Sequence, residues 1–93
     1  VSKPKAQSAR PMNQKSVLIG ISREGTVHMY GRQVSLDRLR LIVEQETSKQ
    51  PDISVVIIAD RAVDVGRAVE VMDNCMLAGA QKVSIAAGKE GQL

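Results

Sequence analysis

The sequence predicts one small α/β domain, a two-layer sandwich in which a mixed sheet carries two helices on one face. Three observations predict it. Apolar residues alternate with a period of two at 17–29 and again at 83–85, they recur with a helical period at 36–43 and 65–76, and the order reads strand, strand, helix, strand, helix, strand. A helix that joins two strands of one sheet implies parallel pairing and a right-handed crossover, so both helices of this ββαβαβ order belong on the same side. The length of 93 residues and a hydrophobic content of 43% suffice for one core and not for two.

Residues 1–15 are mostly Ser, Lys, Pro, Gln, Arg and Ala, with Pro4 and Pro11, and read as a flexible basic linker. The domain proper is expected over 16–88. Val17, Ile19 and Ile21 alternate with Leu18, Gly20 and Ser22 as a strand; Arg23-Glu24-Gly25 supplies a turn; Val27 and Met29 alternate with Thr26, His28 and Tyr30 as its hairpin partner, ended by Gly31 and Arg32. Ser35 is the expected N-cap of a helix whose apolar positions are Leu36, Leu39, Ile42 and Val43, with Asp37 placed well for the helix dipole. That helix should stop near Ser48, ahead of Pro51. Ile53–Ala59 is nearly continuous in apolar residues, which predicts a central strand covered on more than one side. Val65, Ala68, Val69, Met72, Cys75 and Met76 form one helical stripe, and Gly79 stands where a left-handed C-cap belongs. Val83 and Ile85 open the last strand, which ends near Gly88, and residues 89–93 read as a polar tail.

The formal net charge is +3. It is concentrated at one end: Lys3, Lys5, Arg10 and Lys15 face no acid within 1–15, whereas 16–88 holds eight bases against nine acids. A basic tail suits anionic lipid headgroups, RNA or simple solvation equally. Within the domain, no basic stripe with interleaved aromatics is present to stack bases, since Tyr30 is the only aromatic residue. One Cys and one His give neither an internal disulfide nor a zinc ligand set, so no metal or cofactor is expected. The longest apolar run, Val55–Ala59, is far short of the ~20 residues that cross a bilayer. The chain opens at Val1 without an initiator Met or an apolar leader, which leads to the expectation of a processed or internal boundary there.

The best place for ligand chemistry is the loop Ala59-Asp60-Arg61-Ala62-Val63-Asp64-Val65-Gly66, at the carboxyl end of a parallel strand and the start of a helix. Helix-start amides with Arg61 or Arg67 could hold an anion, although the glycine spacing of a phosphate loop is absent. Read structurally, Asp64 is an N-cap and Asp60 caps the strand end or pairs with Arg61. His28 lies on the polar side of its strand with no carboxylate near in sequence, and Cys75 lies inside the apolar stripe as a small hydrophobe. Arg67, Glu70, Asp73 and Asn74 point outward as a mixed-sign surface, and Leu77 lies off the stripe, where it could add to an apolar docking patch.

The stretch Ile58-Ala59-Asp60-Arg61-Ala62-Val63-Asp64-Val65-Gly66-Arg67-Ala68-Val69-Glu70-Val71-Met72-Asp73, followed by Leu77-Ala78-Gly79-Ala80-Gln81-Lys82-Val83-Ser84-Ile85, resembles the most recognisable part of the ExbD/TolR family. Val17–Met29 and Val34-Ser35-Leu36 resemble the family's opening hairpin and first helix more weakly, so the resemblance spans about 16–88. It implies a periplasmic domain of a single-pass inner-membrane protein, acting by protein contacts and not as an enzyme, with the basic start as its linker. It implies a proton-driven motor shared with an ExbB/TolQ-like or MotA-like membrane partner. The membrane aspartate that carries the proton in that family would lie outside this sequence, and Asp60, Asp64 and Asp73 do not take its role.

By the same resemblance the domain forms a homodimer and contacts a TonB- or TolA-like periplasmic protein, and some relatives engage peptidoglycan. Partner contact is expected at Asp60, Arg61, Val63, Asp64, Val65, Asp73, Leu77 and Ile85. Many relatives carry Pro or an aromatic just after the Asp60-Arg61 segment, where Asp64 and Val65 stand here, and the lack of aromatics ranks sugar stacking below protein binding. The competing expectation is a small nucleic-acid- or anion-binding module built from the basic tail and the 60–66 loop.

Overall fold

The computed structural model describes residues 16–88. The expected linker at 1–15 and tail at 89–93 lie outside the described residues. Strand β1 (Ser16–Ile21) runs into β2 (Val27–Met29) through a loop closed by Ser22 N–H on Thr26 O at 2.9 Å and Gly25 N–H on Ser22 O at 2.8 Å. Gly25 has φ +91, a conformation that side chains with a Cβ rarely adopt.

The chain then turns once more. Tyr30 and Gly31, with φ of 52 and 76, reverse it into β3 (Arg32–Val34), and Met29 pairs directly with Arg32. Two positive φ values between directly paired residues make this a type I′ hairpin. The structure thus adds a strand to the four read from the sequence, and Gly31 and Arg32 belong to the turn and the new strand instead of ending β2. Tyr30 concealed it, because the first position of such a turn is usually Asn, Asp or Gly.

Helix α1 (Leu36–Lys49) begins after its N-cap Ser35, whose Oγ accepts the Arg38 amide at 3.1 Å, and it ends two residues before Pro51, with Gln50 as C-cap. Strand β4 (Ser54–Asp60) follows, then helix α2 (Val65–Leu77) and strand β5 (Lys82–Gly88). The sheet order is β3-β2-β1-β4-β5, with β1, β4 and β5 parallel and the β1-β2-β3 meander antiparallel. This is the expected two-layer α/β architecture.

Register aligns the covered face. Val17, Val55 and Val83 stand side by side, as do Ile19, Ile57 and Ile85, and Ile21, Ala59 and Ala87. Leu39 and Val43 of α1 and Val71 and Cys75 of α2 close over the β1 and β4 members of these rows. Each fully buried Ile, Leu or Val side chain contributes about 1.5–3 kcal/mol through removal from water, so this layer carries most of the fold's stability. Coverage of β4 is one-sided: Val55, Ile57 and Ala59 are buried, while Val56 and Ile58 on the opposite face are only half-buried. The near-continuous apolar run therefore does not mark a strand covered equally on both faces.

The stripe expected on α2 is rotated. Val71, Cys75 and Ala78 are buried and Ala68 and Met72 partly so, whereas Val65, Val69 and Met76 are exposed. The helix leans toward α1, where Arg40 donates through Nε and Nη2 to Asn74 Oδ1 at 3.2 and 3.0 Å, and the Thr47 hydroxyl meets Ala78 O at 3.1 Å. Its far flank is left standing clear of the core.

Candidate partner-binding groove

Residues at the ends of β4 and α2 are held by local hydrogen bonds that follow from their types. Asp60 Oδ1 accepts the Ala62 amide at 2.9 Å and its carbonyl accepts Val63 N–H at 3.0 Å, which bends the chain sharply off the strand. Asp64 caps α2, with Oδ2 3.3 Å from the Arg67 amide. A Cβ at Gly66 would stand only 2.9 Å from that same oxygen, so residue 66 must be small for the cap to sit where it does. Two of the loop's amides are therefore answered by carboxylates of the chain itself, which counts against an anion seated there. Arg67 is also engaged, through Nε on Gly25 O at 2.8 Å and Nη1 on Glu70 Oε1 at 3.0 Å.

At its other end α2 closes with Gly79 at φ +104, Ala80 N–H on Cys75 O at 3.2 Å and Gly79 N–H on Met76 O at 3.0 Å. That pair of bonds is a Schellman motif, which turns the chain straight into β5. Because α2 leans toward α1, the space above β5 is not filled. A groove of about 370 Å³ runs there, walled by Val65, Val69 and Met72 on the helix and by Ile85 and Ala87 on the strand, with Asp60 and Arg61 at one end. Val65 is 76% exposed and Ile85 42%, although Ile85 points to the covered face of the sheet. Strand β5 is also an edge of the sheet among the described residues, so one row of its backbone donors and acceptors has no strand beside it.

Five of the eight positions expected at a partner contact line this groove: Asp60, Arg61, Val63, Val65 and Ile85. Asp64 faces a separate hollow with Arg23, Gly25 and Arg67, and exposed Asp73 and Leu77 line neither. Val69 and Met72 were missed, because the helical period assigned both to the core. Only the placement of α2 over the sheet shows that they open onto β5.

Elsewhere the titratable groups are placed structurally. Burial pushes the Cys75 thiol up to about 11, and partial burial together with the Glu46 carboxylate raises the Tyr30 phenol. His28 Nε2 lies 2.9 Å from Thr26 Oγ1, which in turn meets Ser22 Oγ. Among the described residues no group of three or more His, Cys, Asp or Glu side chains is placed to hold a metal ion, and no helix is long and apolar enough to cross a membrane.

Fold and groove together define a class: a small two-layer α/β domain with an edge strand, among the described residues, beside a partly apolar helix. The comparison with known proteins is specific about the family. The family described as Biopolymer transport protein ExbD/TolR matches residues 1–90, and this chain belongs to it. It is 33% identical over 89 residues to the Biopolymer transport protein exbD2 of Vibrio cholerae serotype O1, a stretch that takes in 96% of this chain and 66% of that protein.

Proposed function

We propose that this chain is the periplasmic part of a Ton/Tol-type energy-transduction subunit, and that it works by receiving an extended segment of a TonB- or TolA-like protein as an added strand along β5. The observation that carries the reading is Ile85, a large apolar side chain on the helix-covered face of the sheet that the helices leave 42% exposed beside an unpaired strand edge. An added strand would satisfy the row of backbone groups along β5 and lay alternate side chains into the groove, so affinity comes from main-chain hydrogen bonds and selectivity from the pocket. Family membership supports the setting, an inner-membrane subunit that acts with an ExbB/TolQ-like partner; a homodimer is part of the same proposal. Asp73 and Leu77, outside the groove, are the positions proposed to touch the rest of such a partner or the second copy. Peptidoglycan ranks lower, because Tyr30 is the only aromatic and it sits at the opposite edge of the sheet.

Titration of the isotope-labelled chain with TonB-like peptides tests this. The expected result is amide shifts in β5 and methyl shifts at Val65, Val69 and Ile85; an absence of shifts in every strand at saturating peptide refutes strand addition. The anion-binding reading predicts instead that any binding weakens steeply with salt, whereas strand addition responds little.

A further inference from the structure

The first two turns of α2 are held by few contacts. The helix buries Val71 and Cys75 in its second half, where Asn74 and Ala78 also reach α1, but in its first half only Ala68 packs partly on the core. What secures that end is Arg67. Its Nε donates to the carbonyl of Gly25, 42 residues away, at 2.8 Å, and Glu70 fixes the plane of the guanidinium through Nη1 at 3.0 Å.

The receiving loop is itself stiff. Ser22, only 4% exposed, binds Thr26 through backbone and side chain, and the positive φ of Gly25 exposes its carbonyl to the arginine. A Cβ at residue 25 would lie 3.4 Å from Arg67 Cγ, so the arginine stem rests against the glycine backbone. On a helical wheel at ~100° per residue, Arg67 points opposite both Val65 and Val69, which face the groove. A hold on that side of the helix acts on the width of the gap on the other.

We propose that Arg67 is a positioning residue for the groove: by gripping the Gly25 carbonyl it keeps the start of α2 away from β5, so that the space between Val65 and Ile85 stays wide enough for a strand. The proposal rests on the docking reading for its purpose but not for its test. A surface ion pair in this position would have no such effect, and the Glu70 contact alone, between exposed groups three residues apart, is worth little.

The test compares Arg67→Ala with Arg40→Ala, which removes the α1 contact at the other half of the same helix. NOEs from the Val65 and Val69 methyls to those of Ile85 and Ala87 are read in the unliganded chain, together with amide exchange at Ala68 and Val69. The expected result is stronger cross-groove NOEs and exchange faster by roughly tenfold in Arg67→Ala, neither of them in Arg40→Ala, and recovery in Arg67→Lys, which keeps a charged donor for the carbonyl. Equal NOE patterns in the two alanine variants would overturn the proposal. TonB-like peptide titration separates the two readings: a roughly tenfold loss of affinity confined to Arg67→Ala supports both. If the unaltered chain takes no peptide, the docking reading falls, and the NOE comparison alone decides the role of Arg67.

Discussion

Ile57 and Ile85 are neighbours in register on adjacent parallel strands and point to the same face of the sheet, yet Ile57 is completely buried and Ile85 is 42% exposed. The helix layer ends between them. From that boundary follow an energetic asymmetry and the edge proposed to receive another chain. Ile57→Ala should cost about 2–5 kcal/mol, as a core truncation that leaves a cavity. Ile85→Ala should cost well under half of that in the same denaturation experiment, while weakening capture of an extended peptide. Equal losses of stability would mean that β5 is covered after all.

The bond between the two helices makes a second prediction. Thr47, 8% exposed, places its hydroxyl 3.1 Å from Glu44 O and 3.1 Å from Ala78 O. Thr47→Val keeps the shape and removes the donor, so stability should fall by about 1–2 kcal/mol in a urea melt. Loss of this bond at the end of α2 should leave β5 and its edge in place, read as unchanged β5 amide shifts.

Cys75 gives a prediction in pH. With its thiol held up to about 11 by burial, against an ordinary value of 9.0, the folded chain keeps the proton where the unfolded chain would lose it. The unfolded state therefore binds fewer protons between these two values, and stability falls as pH rises from about 9 to about 11, by up to roughly 3 kcal/mol. Cys75→Ala should flatten that alkaline decline in melting temperature. Alkylation of the native thiol at pH 8 should be slower than that of the unfolded chain by at least about a hundredfold.

The cap of α2 gives a fourth. Asp64→Ala removes the acceptor for the Arg67 amide and should cost about 0.5–2 kcal/mol by thermal melting. Gly66→Ala should cost a similar amount only while Asp64 is present, because its Cβ meets the Asp64 carboxylate. In Asp64→Ala the second substitution should be neutral or favourable, since alanine is the better helix former.

Much of the fold was legible because local chemistry and final structure agree. Ser35 and Asp64 cap the two helices as their types suggest, Gly79 adopts the positive φ, and the 2.0 and 3.6 periods mark the right segments. What escaped notice depended on tertiary contact or on unusual turn chemistry. Strand β3 hid behind Tyr30, a residue rarely found at φ 52, and the apolar wall of the groove hid inside a helical stripe that periodicity alone assigns to the core. The period says that Val65, Val69 and Met72 share a side of α2; where that side faces depends on tertiary contact, above all the grip of Arg67 on the Gly25 carbonyl at the start of the helix. Four of the expected contact positions, Asp60, Arg61, Val63 and Val65, line the groove because they cluster at the β4–α2 junction, where α/β folds tend to place sites.

Amide hydrogen exchange along β5 tests strand addition at that edge. In the free chain, alternate amides of Lys82–Gly88 should exchange fast, because no strand lies on that side, while the amides of β4 stay protected. Saturation with a TonB-like extended peptide should slow those alternate β5 amides by tenfold or more and leave β3, the other edge, unchanged. Protection that appears at β3, or β5 amides already slow in the free chain, would rule out β5 as the receiving edge.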